Sequence, residues 1–319
     1  MFHGMMTIYK EAGYTSSDVV ARLRGILHMK KIGHTGTLDP DAEGVLPVCL
    51  GIGTKLCELI ADRDKEYIAV MRLGVTTDTQ DMSGEVQEQI SDEEVRLRVT
   101  PQKVKETAAE FVGEISQVPP MYSAVKVDGK RLYEYARAGR TVERKARNIT
   151  IYELEITSVD LPLVTMRVRC SKGTYIRTLC ADIGEKLGCG ACVSSLVRTA
   201  TGGFELKDSL TIDEIALLHQ EGRLSERMVS IDSMFPEALR ASVKEELDQR
   251  LYNGNQFTLQ ELMIENDSNG TDDNEILKVQ KGAPKKKLRL YDSKGTFIGL
   301  YRWDSRRRHY HPEKMFLPQ

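Results

Sequence analysis

Residues 33–40, Gly33-His34-Thr35-Gly36-Thr37-Leu38-Asp39-Pro40, gather an imidazole, two hydroxyls and a carboxylate into one short polar loop. An apolar stretch, Gly44-Val45-Leu46-Pro47-Val48-Cys49-Leu50, follows it. A reactive side chain in the loop would therefore be mounted against a rigid core. Asp39 is the candidate, because a carboxylate can attack carbon or accept a proton. Taken alone, Asp39-Pro40 also fits a helix N-cap with proline at the first helical position, and that pattern predicts a helix beginning at Pro40. Arg177 is the second candidate. It falls in the first turn of a predicted helix, where a cation opposes the helix dipole unless an anion stands nearby. Cys189-Gly190-Ala191-Cys192 is a lone CxxC with no second pair at similar spacing, so it does not read as a zinc site.

Several elements must position these residues. Thr15-Ser16-Ser17-Asp18 is a helix start, and Val19, Val20, Leu23, Ile26 and Leu27 share the face of a helix ending near His28. Residues 67–73 read as a strand apolar on both faces and hence central. Val104, Ala108, Phe111 and Val112 mark a helix stopped at Gly113. Residues 163–170 alternate cleanly, which predicts a half-buried strand. Ser171-Lys172-Gly173-Thr174 turns the chain into a helix closed by Gly188. Beyond residue 234 the character changes: 287–291 and 296–303 read as strands joined by Asp292-Ser293-Lys294-Gly295. The acidic stretch 266–274 lacks apolar residues and reads as a mobile loop.

The chain has 319 residues, enough for two domains, with 40% hydrophobic and 29% charged residues. It carries no signal-peptide pattern and no apolar run of membrane-spanning length, so a cytoplasmic protein without a membrane partner is expected. Six cysteines in a chain this long do not suggest a disulfide scaffold, and Cys49, Cys57, Cys170 and Cys180 sit in apolar contexts that suit core thiols. The net charge of −2 does not mark a nucleic-acid binder, but its distribution does. Residues 126–147 hold eight Lys or Arg against three acids, residues 22–31 hold four bases and no acid, and residues 261–275 hold six acids and no base. Two basic clusters on a slightly acidic chain point to a phosphate-binding surface.

The loop at 33–40 extends into a longer pattern: Ala42, Gly44 to Cys49, Gly53-Thr54-Lys55, Lys65-Glu66-Tyr67, Arg72-Leu73-Gly74 and Thr77-Asp78-Thr79. Pro120-Met121-Tyr122-Ser123-Ala124, Arg131-Leu132-Tyr133-Glu134-Tyr135-Ala136-Arg137 and Cys170-Ser171-Lys172-Gly173-Thr174-Tyr175-Ile176-Arg177 continue it. In this order the blocks resemble the TruB family of tRNA pseudouridine synthases, over residues 1–235. The resemblance implies an α+β pseudouridine synthase fold with a long, mostly antiparallel sheet and an RNA-covering insertion at about 117–147. It also implies a small β-rich PUA-like RNA-binding domain over 236–319, interrupted by an acidic insertion at about 261–280.

The implied reaction isomerises uridine 55 in the T loop of tRNA by base flipping, glycosidic cleavage, uracil rotation and C5–C1′ bond formation, and it requires no cofactor and no metal. Asp39 becomes the carboxylate beside the ribose, as a nucleophile at C1′ or a base at C2′; both roles need it ionised. Arg177 becomes its pairing partner. By the same resemblance Tyr67 packs on the flipped base, Tyr175 lines the pocket, and His34 fills stacking space vacated in the RNA. Lys126, Lys130, Arg131, Arg137, Arg140 and Arg147 then neutralise phosphates, with Tyr122, Tyr133 and Tyr135 interleaved. Residues 281–289 and 302–308 would face the acceptor stem. The implied partner is tRNA alone, bound by a monomer that needs no protein partner. Two other readings are a guide-RNA-dependent synthase and a tRNA-folding factor with dispensable catalysis. Three departures stand out: Lys10-Glu11 replaces the usual Lys-Pro, residues 51–55 lack an acidic residue, and Cys192 stands where members often carry His.

Overall fold

The computed structural model describes residues 1–265 and 287–317. The N-terminal part runs β1 (Gly4–Lys10), α1 (Ser16–Leu27), β2 (Ile32–His34), β3 (Glu43–Leu50), α2 (Cys57–Ala61) and β4 (Lys65–Leu73). A hairpin β5 (Val75–Thr77) and β6 (Val86–Gln89) leads to α3 (Asp92–Arg98), α4 (Pro101–Ala109) and β7 (Gly113–Gln117). The insertion holds a second hairpin, β8 (Lys126–Val127) and β9 (Lys130–Arg131), then α5 (Leu132–Arg137). β10 (Arg147–Asp160), β11 (Leu163–Cys170), α6 (Ile176–Leu187), β12 (Ala191–Thr201), β13 (Phe204–Glu205) and α7 (Ile212–Gln220) complete this part.

These strands build a nine-stranded sheet ordered β1-β3-β12-β4-β11-β10-β7, with β2 added to β3 and β13 to β12. Only β3 and β12 run parallel; the other pairings are antiparallel, as expected. β11 spans the expected residues and buries Val164, Met166, Val168 and Cys170 on one face. β4 is central, between β12 and β11, but it is not apolar-buried on both faces. Tyr67, Ala69, Met71 and Leu73 enter the core, while Ile68 on the opposite face is 42% exposed. Helices cover only one side of the sheet here, so a central strand still keeps one open face.

The helices follow their local signals. Thr15 caps α1 through a capping box with Asp18, and His28 closes it in the left-handed conformation. α6 ends at Gly188, whose φ of 77° suits a residue without Cβ. α4 stops at Ala109, earlier than expected; Phe111 and Val112 lie in the turn leading to β7, where helical spacing of apolar residues is not enough to continue a helix.

The smaller sheet is ordered β15-β14-β16-β17-β18, from β14 (Leu239–Ser242), β15 (Met263–Ile264), β16 (Leu288–Tyr291), β17 (Phe297–Asp304) and β18 (His309–Met315). The expected β16–β17 turn is present, with the Asp292 carboxylate accepting from the backbone N–H of Lys294 and Thr296. The start of the acidic segment is built into this sheet rather than looped out. Glu261 pairs with Arg250 at 2.6 Å, β15 pairs with β14, and Glu265 pairs with Arg240 at 2.9 Å. Residues 266–274, expected as a mobile loop, and residues 281–286, expected at the acceptor stem, lie outside the described residues. Met5, Ile52 and Phe204 from the N-terminal part share a core with Phe235, Leu300 and Phe316 in and around the smaller sheet.

Candidate active site

The polar loop leaves β2 and returns into β3, and Asp39 lies in it. The helix expected at Pro40 is absent. Instead the Ala42 N–H donates to the Asp39 carbonyl at 3.1 Å, a β-turn with proline at its second position, and the chain runs directly into β3. Proline suits both contexts because its fixed φ fits the first helical residue and the second turn residue alike. Lys10, fully buried at the end of β1, braces the turn: its ammonium donates to the carbonyls of Pro40 at 2.8 Å, Ala42 at 2.6 Å and Glu11 at 3.0 Å. Burial lowers its pKa to about 8, opposed by the nearby charges of Asp41, Glu43 and Asp39. Beneath the loop, buried Arg198 donates to the Val45 carbonyl at 2.8 Å and reaches those of Gly36 and Thr37 at 3.5 Å. Gly44, at a φ of 102°, lies so close to the Arg198 backbone that a Cβ there would overlap it.

Arg177 rises from the first turn of α6 to meet Asp39. Its Nε lies 2.9 Å from Asp39 Oδ2, and its Nη2 donates to Oδ1 at 3.2 Å, a two-edged pairing. Nη2 also donates to the Tyr122 carbonyl at 2.7 Å; Nη1 donates to the Thr79 carbonyl at 2.7 Å and to Asp81 Oδ2 at 3.4 Å. All three guanidinium nitrogens thus face oxygen, and the residue is only 5% exposed. The anion needed to offset a cation at a helix start is Asp39, assisted by Asp81. Asp81 is itself fixed: Oδ1 accepts from Thr79 Oγ1 and Ser83 Oγ, each at 2.6 Å, and from the Ser83 N–H at 3.1 Å.

Asp39 sits where two cavities meet. A compact one of about 270 Å³ is walled by Ala42, Met82, Val193, Ser195 and Leu196; a wider cleft of about 650 Å³ is walled by His34, Tyr122, Ser123 and the basic insertion. Asp39, Asp81, Ser83 and Arg177 line both. The Asp39 side chain keeps 41% of its surface exposed toward these spaces. Its pKa is nonetheless raised from the ordinary aspartate value, first by desolvation and further by Asp81, against the lowering effect of the Arg177 guanidinium. The arrangement is an ionisable carboxylate, oriented by a planar cation, at the mouth of a mostly apolar pocket.

The other expected site residues divide. His34 lines the cleft, and burial lowers its pKa, which favours the neutral ring. Lys126, Arg131 and Arg137 also line it, whereas Lys130, Arg140 and Arg147 do not. Arg131 and Arg137 lie over the Tyr133 ring at 5.7 and 5.4 Å, and Arg140 lies over Tyr135 at 5.7 Å. Tyr67 lines neither cavity: it is 7% exposed, packed with Leu38 and Ala42 in the core, because β4 points it inward with Ala69 and Met71. Tyr175 also lines neither; its backbone is clamped by the Gln117 side chain at 2.8 and 3.0 Å as it caps α6. Arg289, expected near RNA, is buried against the Ala238 carbonyl. Asp81, Arg198 and Leu196 were not among the expected site residues, and Lys10 stood out only for the Glu11 that follows it. Arg198 carried a usable signal: it shares the inward face of β12 with Leu196, which marks a buried cation.

The sequence model described as TruB family pseudouridylate synthase (N terminal domain) matches residues 24–176, and that of the tRNA pseudouridylate synthase B C-terminal domain matches residues 177–243. A relative from Lachnoclostridium phytofermentans, called tRNA pseudouridine synthase B, is 46% identical over 99% of this chain and 100% of its own length. The chain belongs to the TruB family. It is therefore an isomerase of the pseudouridine synthase class. A relative of the same description from Alkaliphilus oremlandii is 44% identical over 80% of this chain and 83% of its own. Among solved structures, a Cbf5-Nop10-Gar1 complex chain is 25% identical, with a TM-score of 0.67 over 99% of this chain and 85% of that one. A further solved structure, an H/ACA RNP bound to a substrate RNA, is 23% identical with a TM-score of 0.67 over 99% of this chain and 86% of that one, and shares the pseudouridine synthase fold.

Proposed function

We propose that this protein converts uridine 55 in the T loop of tRNA to pseudouridine, acting on tRNA without a guide. The observation that carries the reading is the Asp39–Arg177 pair at the junction of a wide basic cleft and a compact, mostly apolar pocket. The names of its relatives support tRNA as the substrate class. In this reading the cleft receives a stem-loop, the target nucleotide flips past Asp39, and new contacts offset an unstacking cost of a few kcal/mol. Asp39 acts on the ribose, at C1′ or at C2′. The N1–C1′ bond breaks and uracil turns within the pocket; C5 bonds to C1′ as Asp39 leaves C1′ or returns the C2′ proton, and the C5 proton is lost while N1 gains one. Arg177 keeps the carboxylate ionised and oriented against the desolvation that raises its pKa.

Residues 236–319 form, in the same proposal, a separate RNA-contacting unit, with Arg302 and residues 306–308 facing the acceptor stem. The insertion at 117–147 covers the bound loop. Its attachment to Arg177 through the Tyr122 carbonyl favours a stand-alone enzyme, since the cover and the reacting centre belong to one chain.

The test is tritium release from transcribed tRNA labelled at uridine C5, with the product position mapped. Release confined to uridine 55 is the expected result. Release only when guide RNA and partner proteins are added would overturn the proposal.

A further inference from the structure

A third cavity adjoins the candidate active site on the far side of His34. It measures about 620 Å³ and is lined by Arg24, Lys30, Lys31, Thr54, Cys57 and the wall residues Ser17 and His34, with the backbone of Ile32 and Gly33 between. Ser17 and His34 also line the cleft that holds Asp39, so the two spaces share one partition.

Its charge is one-sided. Among the described residues no Asp or Glu lines it, and none of its three cations forms an ion pair. The cavity at the foot of β4 differs: there Arg63, Lys65 and Arg169 are accompanied by Asp64 and Glu66. Three unbalanced cations around one concave surface repel each other, and an anionic ligand relieves that repulsion.

The framework beneath these cations is fixed. Met29 is buried between them, the Lys31 carbonyl accepts from the Gly51 N–H at 2.8 Å, and the Lys30 carbonyl accepts from the Ile32 N–H at 3.2 Å. Arg24 is steered by one donation to the Ile32 carbonyl at 3.1 Å, which leaves most of its fork free. The side chains of Lys30 and Lys31 are exposed. Rigid backbone with unspent ammonium and guanidinium groups suits a backbone-phosphate contact rather than base readout.

We infer that this cavity is a phosphodiester subsite for the RNA strand as it leaves the catalytic cleft past His34. The inference rests on the proposed function and deepens it. The bound strand is held on both sides of the reacting nucleotide, by Lys126, Arg131 and Arg137 on one side and by Arg24, Lys30 and Lys31 on the other. Because the two spaces share a wall, the contact falls within the target stem-loop itself and not on a distant arm.

The test is steady-state kinetics of the full-length Lys30→Gln/Lys31→Gln variant, on whole tRNA and on an isolated T-arm hairpin, across a salt series. Both positions are exposed, so the fold is retained, and a thermal melt verifies this. KM should rise on both substrates with kcat nearly unchanged, the pattern of lost uniform binding. The plot of log affinity against log salt should become shallower by about one unit per lysine. Lys207→Gln, an exposed lysine paired with Glu205, should match the wild type on every measure. An unchanged KM and salt slope overturns the subsite, as does a loss seen with whole tRNA but not with the hairpin. Failure of the proposed function would look different, because the wild-type enzyme itself would then not modify the hairpin.

Discussion

The loop around Asp39 and the insertion over residues 117–147 meet at one arginine, yet they are built on opposite principles. Around Asp39 the buried charged groups are already spent, although His34 Nδ1 and Ser123 Oγ on the cleft wall have no hydrogen-bond partner among the described residues. Arg177 faces oxygen from three nitrogens, Asp81 accepts three bonds through Oδ1 alone, and Lys10 and Arg198 lie buried beneath, fastened to backbone carbonyls. The insertion is held by a few anchors: buried Leu132, the Tyr133 N–H donating to the Ser123 carbonyl at 3.2 Å, and Arg144 donating to the Pro119 carbonyl at 3.1 Å. Its remaining cations reach solvent or lean on tyrosine rings. Asp128 and Gly129, both at positive φ, give its hairpin the tight turn that needs no packing support. A site that must hold one geometry satisfies its own groups; a surface that must accept a polyanion leaves its charges unspent.

Four changes test that contrast. Asp39→Asn keeps shape and removes charge, and should lower kcat by roughly 100- to 10,000-fold, the range for a lost acid–base group, with little change in tRNA binding by filter assay. Parallel losses of binding and turnover would blur the division. Arg177→Lys retains a cation but cannot face Asp39, Asp81 and two carbonyls at once. We expect turnover to fall severely and stability to drop by about 1–3 kcal/mol, read as a lowered Tm, because buried oxygens lose their donors. A variant with wild-type turnover would show that the paired geometry is not required.

Asp81→Asn acts through pH. Asp39 must be ionised, its pKa is raised by desolvation and by Asp81, and activity is lost as pH falls through that pKa. Removing the Asp81 charge lowers the Asp39 pKa, so the acid limb of kcat/KM should move to lower pH. An unmoved limb would break the electrostatic link. The smallest effect belongs to the insertion: Lys126→Gln/Arg131→Gln/Arg137→Gln should raise KM, leave kcat nearly intact and flatten the salt dependence of binding. A large fall in kcat would mean that the insertion belongs to the reacting centre after all.

The sequence alone determined much of this molecule, wherever the cause is local. Alternation produced β11, capping residues bounded α1 and α6, and the Asp292 turn joined β16 to β17, because each signal lies within a few residues. The family pattern likewise singles out Asp39 and Arg177. Tertiary structure decided the rest. Asp39-Pro40 became a turn and not a helix cap, since Lys10 and Gly13, far earlier in the chain, take the Pro40 carbonyl. Tyr67 and Tyr175 line neither of the two cavities, because strand register and a helix start govern where they point. Asp81, Lys10 and Arg198 reach the site through partners dozens to more than a hundred residues away. No spacing rule encodes such contacts: a buried charge is placed by whichever strands the sheet happens to set beside it.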